Sequence, residues 1–178
     1  MRLALILLLV YQWSIAQGNI VQLMGIESSH LNKFEAHKLT PKTAAAFHAM
    51  QVAARQEGID IQLVSAYRSF ERQQYIWEDK FERYTSEGES PEKAIAQILK
   101  YSTLPGTSRH HWGTDIDITD GNVKNEKRLL VPSKFHNNGP FAPLHEWMQI
   151  NAHHYGFYLV YTKDNARTGF SYEPWHYS

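Results

Sequence analysis

The stretch Ser108-Arg109-His110-His111-Trp112-Gly113-Thr114-Asp115-Ile116-Asp117 constrains this chain most. Its second half alternates. Asp115, Asp117 and Thr119 fall on one side of an extended strand, and Ile116 and Ile118 on the other. The isoleucines can anchor such a strand in a core while Asp117 reaches across the opposite face. Gly113 permits a tight turn between His110 and the strand. Far downstream, Glu173-Pro174-Trp175-His176 sets a histidine three residues after a carboxylate. Pro174 breaks strand geometry there, so a turn can aim Glu173 and His176 inward together. His110, Asp117 and His176 therefore offer three metal donors. Catalytic zinc usually takes three protein ligands and keeps a fourth position for water. Glu173 is the candidate general base for that water. Asp115 lies on the metal side of the strand but is not counted as a ligand. It reads as a surface carboxylate or as an acceptor for the second ring proton of a ligand histidine.

Other features narrow the class. The chain has no cysteine, which excludes disulfides, a lipidated N-terminal cysteine and thiolate metal ligands. Any metal must be held by His, Asp or Glu. Eighteen basic residues balance 18 acidic ones, so charge makes no case for nucleic acid or an anionic membrane surface as partner. A length of 178 residues with 43% hydrophobic content suits one core. Residues 1–16 read as a signal peptide: Arg2, an apolar run over 3–11, and the small-x-small site Ser14-Ile15-Ala16. The run is too short to span a bilayer comfortably. The expectation is a secreted or periplasmic monomer without a membrane span in the mature chain. Its single domain would cover 17–178, with a core from about 38. No nucleotide-binding glycine loop, Gly-x-Ser-x-Gly elbow or internal repeat is present.

Taken in order, residues 18–39 show no clear period and read as a lead-in segment draped over the domain. Thr40-Pro41 starts a helix that Gly58 ends, with Ala44, Phe47, Gln51 and Ala54 on its packing face. Residues 59–65 alternate as a half-buried strand. Ser69 caps a helix from 70 to about 84, and Ser90-Pro91 starts another whose apolar face is Ala94, Ile95, Ile98 and Leu99. Residues 120–140 read as a polar surface loop near the mouth of the site. A helix is expected over 142–155 and a strand over 157–161, before the chain returns to the second motif.

The two motifs resemble the VanY-like D-alanyl-D-alanine carboxypeptidases, a branch of the LAS metallopeptidases. Their pattern, Ser-x-His-x-x-Gly-x-Ala-x-Asp with Glu-x-x-His far downstream, is met by Ser108, His110, Gly113, Asp117, Glu173 and His176. Asp115 stands where alanine is usual. The family's Tyr-Arg-Ser motif and the glutamine after it match Tyr67-Arg68-Ser69 and Gln73. The resemblance selects an α+β fold of the LAS/hedgehog type: a small antiparallel sheet carrying a zinc site, flanked by helices. It also implies that Arg68 stabilises developing negative charge and that Ser108 and Gln73 contact substrate. The implied reaction is zinc-dependent removal of the terminal D-amino acid from peptidoglycan stem peptides, D,D or L,D. Two other readings share the residues: an endopeptidase cutting inside the stem or cross-bridge, and a binding module that grips cell-wall peptide without cutting it. Glu173 argues against the binding module, because binding alone needs no base.

Overall fold

The structure, a computed structural model, describes residues 20–164 and 166–178. The signal-peptide expectation lies outside the described residues. Two short strands, β1 (Asn32–Phe34) and β2 (His37–Leu39), pair antiparallel as a hairpin. They lie in the lead-in segment, where the sequence shows no period; strands of three residues are too short to display one. Helix α1 (Pro41–Gln56) begins as expected, with the Thr40 hydroxyl accepting from Thr43 N–H at 3.2 Å. Phe47, Met50, Gln51 and Ala54 are its buried positions.

Strand β3 (Ile61–Ser65) leads to α2 (Phe70–Ser86), which Ser69 caps, and then to α3 (Pro91–Ile98), which Ser90 caps. The expected face of α3 is corrected by half. Ala94 and Ile98 are buried, but Ile95 and Leu99 are exposed. Only a narrow stripe meets a neighbour, since α3 packs chiefly against α2. After a short 3-10 turn at Arg109–Trp112 comes β4 (Ile116–Asp120), every residue of which is buried. Helix α4 (Ala142–Asn151) is shorter than expected and finishes in a 3-10 turn, Ala152–Tyr155, ahead of Gly156. Strand β5 is the pair His176–Tyr177.

The main sheet has the order β3-β4-β5, antiparallel throughout, so β4 is central. The expected strand over 157–161 does not form as a regular element. Tyr158 exchanges two backbone hydrogen bonds with Ser178, Val160 donates to His176, and Leu159 makes an isolated bridge to Tyr177. Ile116 and Ile118 point into a core shared with Phe47, Met50, Leu144, Trp147, Met148 and Phe157, so the helices cover one face of the sheet. The other face carries the polar side chains of β4. In this register Asp117 lies opposite both Ser65 on β3 and His176 on β5. Residues far apart in sequence thus meet over one central strand.

Candidate active site

Three side chains converge above Asp117. One donor atom each from His110, Asp117 and His176 lies within 4.8 Å of the others, and all three residues are buried. Each is held by a different local device. His110 sits in the 3-10 turn that ends at Gly113, whose φ of 72° is the left-handed turn its position demands. The turn is docked by Arg68 N–H, which donates to the His110 carbonyl at 3.1 Å. His110 Nδ1 lies 2.8 Å from the Ala66 carbonyl. A carbonyl only accepts, so Nδ1 carries the proton and the Nε2 lone pair faces Asp117 Oδ2, 3.3 Å away. His111 turns the other way. Its Nε2 accepts from Gly106 N–H and its Nδ1 donates to the Arg68 carbonyl, and it is fully buried. Of the two adjacent histidines, His110 lines the cavity and His111 does not.

His176 is gripped at both ring nitrogens. Nδ1 lies 3.3 Å from Asp117 Oδ1 and 3.3 Å from Glu173 Oε2, while Nε2 lies 2.8 Å from Asp115 Oδ1. Asp115 is fully buried and is itself held by Arg109 Nε at 2.9 Å, Thr114 Oγ1 at 3.0 Å and Ser178 Oγ at 3.1 Å. Arg109 Nη2 also donates to Ser178 Oγ at 2.8 Å, which closes a ring of contacts around the carboxylate. Asp115 is therefore the ring-proton acceptor, not a surface carboxylate. With its Nε2 proton given to Asp115, His176 can offer an Nδ1 lone pair to a cation in the site.

The electrostatics describe a cation-seeking cluster. Burial works to raise the Asp117 carboxyl, but the imidazoles of His110 and His176 outweigh it and hold the group well below the usual carboxylate range. Burial likewise opposes charge on His176, yet the carboxylates of Asp115, Asp117 and Glu173 around its ring together push it up to about 11. Asp117 Oδ1 is buried without a hydrogen-bond partner among the described residues. An orphaned carboxylate oxygen between two imidazole lone pairs fits a divalent metal.

Glu173 is buried beside this group. Its N–H is tied to the Tyr161 carbonyl, and its own carbonyl accepts from His176 N–H. Arg68 approaches from the end of β3, with Nη2 at 3.9 Å from Asp117 Oδ2 and 3.2 Å from Ser65 Oγ. Its Nη1 donates to Gln73 Oε1 at 2.8 Å. All of this opens into a cavity of about 490 Å³, whose walls include Arg68, Ser108, His110, Asp117, Glu173 and His176. Trp175 forms wall, as its place between Glu173 and His176 suggests, and Leu130, Val131 and Pro132 bring the 120–140 loop to the cavity. Gln73 does not face it. Fully buried, it uses its amide on Arg68 and on the Thr103 carbonyl, at 2.8 and 2.7 Å. The structure thus places Gln73 behind Arg68 and away from the substrate space. Lys80 and Tyr161 line the cavity and were not singled out from the sequence. Nothing local distinguishes either from an ordinary helix lysine or strand tyrosine.

A His-Asp-His donor set with an adjoining glutamate on a small antiparallel sheet is the architecture of a metal-dependent hydrolase. The chain belongs to the D-alanyl-D-alanine carboxypeptidase family VanY, whose family model matches residues 36–178. A D-alanyl-D-alanine carboxypeptidase of Enterococcus faecalis is 32% identical over 126 residues, 70% of this chain and 42% of the relative. The fold is similar to that of a mutant of the vancomycin resistance D,D-pentapeptidase VanY in complex with Zn(II), with TM-score 0.68 and 27% identity, covering 84% of this chain and 78% of that one. It is equally similar to VanYB in complex with D-alanine-D-alanine, with TM-score 0.69 and 25% identity, covering 85% and 77%. The chain spans about half the length of the curated relatives it matches.

Proposed function

We propose that this chain is a zinc carboxypeptidase that removes the terminal D-amino acid from peptidoglycan stem peptides. The carrying observation is the His110–Asp117–His176 set with Glu173 Oε2 3.3 Å from a ligand nitrogen. A donor set alone needs only a metal. A buried carboxylate aimed at the same point adds a base where water is to be activated. The zinc and the D-alanine-D-alanine found in the two similar structures support the choice of metal and substrate.

His110 Nε2, an Asp117 oxygen and His176 Nδ1 would hold the metal. Bound zinc supplies Lewis acidity, which polarises a carbonyl and acidifies water. Glu173 accepts the proton of the attacking water and returns it to the departing amine, the two transfers expected of one positioned carboxylate. Arg68, fixed by Gln73 and Ser65, donates to the oxygen on which negative charge develops, an effect of about 3–4 kcal/mol for a preorganised donor. Ser108 lies in the cavity wall beside His110 and is assigned to peptide contact. Gln73 serves substrate through Arg68.

Replacing Glu173 by alanine tests this reading. Zinc content and fold should persist, while release of the terminal D-amino acid from a stem pentapeptide falls by roughly 10²–10⁴-fold. Undiminished release would sink the assignment of the base. We also infer that the protein is exported, with 17–178 as its one peptidase domain. The support is the Arg2, apolar and Ser14-Ile15-Ala16 pattern, together with a cell-wall substrate. No helix among the described residues is long and apolar enough to cross a membrane.

A further inference from the structure

Besides Arg68 and the Asp115-paired Arg109, the cavity wall carries a third cation, Lys80, for which the mechanism above has no use. Gln73, Trp77 and Lys80 lie on one face of α2, spaced by four and then three residues. That face is stitched to the loop at 101–104. Gln73 Nε2 and Trp77 Nε1 both donate to the Thr103 carbonyl, at 2.7 and 2.6 Å, and one turn further Lys80 Nζ donates to Ser102 Oγ at 2.6 Å. These contacts fix the direction of the lysine, and both Lys80 and Ser102 line the cavity beside Arg68 and Glu173.

Lys80 differs from Arg68 in what answers its charge. Arg68 has Asp117 at 3.9 Å. Among the described residues, no carboxylate oxygen lies within 4.0 Å of Lys80 Nζ. Among the described residues its one hydrogen-bond partner is a neutral hydroxyl, that of Ser102. Burial, and then the charges of Arg68 and Arg83, weaken its hold on the proton more than the carboxylates of Glu173 and Asp79 strengthen it. A half-buried ammonium with one neutral partner and a cation nearby is short of negative charge. It can recover that charge from whatever enters the cavity.

Its place in the cavity narrows the choice of anion. Lys80 and Ser102 line the same cavity as Arg68, Glu173 and the three metal donors, so their partner lies in the space the substrate occupies. A peptide whose last bond is cut carries such an anion one residue beyond the scissile carbonyl. We propose that Lys80, with Ser102, binds the free C-terminal carboxylate of the substrate. The proposal rests on the peptidase reading of this cavity and deepens it. Lys80 makes the enzyme an exopeptidase, because a peptide continuing past the cut offers an uncharged amide at that place.

Binding and turnover together test this. A stem pentapeptide ending in a free carboxylate and the same peptide ending in an amide are titrated calorimetrically into zinc-loaded Glu173→Ala protein, with Lys80 intact or changed to Met or Arg. With Lys80 present the acid should bind at least about 10-fold tighter than the amide, as a charge-assisted hydrogen bond requires. Lys80→Met should weaken the acid by about the same factor and leave the amide unchanged, and Lys80→Arg should restore most of the preference. In the Glu173-containing enzyme the same change should raise KM for the acid and leave kcat within a few-fold. Equal binding of acid and amide by the Lys80 protein would overturn the proposal, as would a loss in Lys80→Met that falls alike on both peptides. Absence of hydrolysis by the parent enzyme would count against the peptidase reading, while the titration still decides the role of Lys80.

Discussion

Gly113 is the hinge between the turn that bears His110 and the strand that bears Asp117, and its replacement by alanine has a calculable cost. Two contributions add. The residue has φ of 72°, where an L side chain crowds its own backbone at a cost of about 1–2 kcal/mol. A Cβ there would also lie 2.3 Å from Leu31 Cδ2 and 3.2 Å from Cδ1. Leu31 is buried, so its isobutyl group cannot swing away without losing apolar contact, and overpacking of this kind costs about 1–3 kcal/mol. The sum, about 2–5 kcal/mol, is a large part of the stability of an ordinary domain. Displacement would also travel, because the Gly113 carbonyl accepts from Thr40 N–H at the start of α1. Urea unfolding followed by circular dichroism, on the parent, Gly113→Ala, Leu31→Ala and the double variant, separates the two contributions. In the Leu31→Ala background the struck methyls are gone, so Gly113→Ala should cost only about 1–2 kcal/mol, from the backbone alone. A loss under about 0.5 kcal/mol in the parent background would refute the reasoning, for so small a change is usual only at unconstrained surface sites. So would an equal loss in both backgrounds, since the clash with Leu31 would then contribute nothing.

Asp115→Ala should lower zinc affinity by about 10–100-fold in a chelator competition while the fold persists, as loss of a carboxylate behind a ligand histidine does elsewhere; parental affinity would show that His176 needs no such partner. His145 supplies a pH dependence away from the metal. Burial, then the charges of His136 and Lys163, push it down to about 4. The unfolded chain therefore binds a proton there that the folded chain refuses, so stability is complete above pH 6.5 and falls as pH drops from about 6.5 to about 4. In His145→Gln this part of the acid slope should vanish from urea midpoints measured across that range, and an unchanged slope would clear His145. Export should leave a mature protein beginning near Gln17 by intact mass, and an unprocessed Met1 on cytoplasmic protein would contradict the signal-peptide reading.

What was legible in the sequence was local. Thr40-Pro41, Ser69 and Ser90-Pro91 each start a helix where they stand, because a cap needs only its own next three residues. The alternation about Ile116 and Ile118 placed Asp117 on the open face for the same reason. What escaped notice depends on partners distant in the chain. Ile95 and Leu99 have helical spacing like Ala94 and Ile98, but among the described residues no second element covers them. Gln73 looks like a substrate residue until the Thr103 carbonyl, 30 residues on, takes its amide. Asp115 shows both halves of this. Its parity with Asp117 follows from strand geometry, but its work depends on β5 lying antiparallel to β4. Residues two apart on one strand face stand about 6.5–7 Å apart, far enough to lie on either side of a flat ring placed over them. The register that sets Asp117 opposite His176 puts the imidazole in that gap. Asp117 and Asp115 then face its two nitrogens, at 3.3 and 2.8 Å. An alanine at 115 would leave the outer nitrogen to some other acceptor. An aspartate there makes the central strand both the source of one ligand and the clamp that orients another.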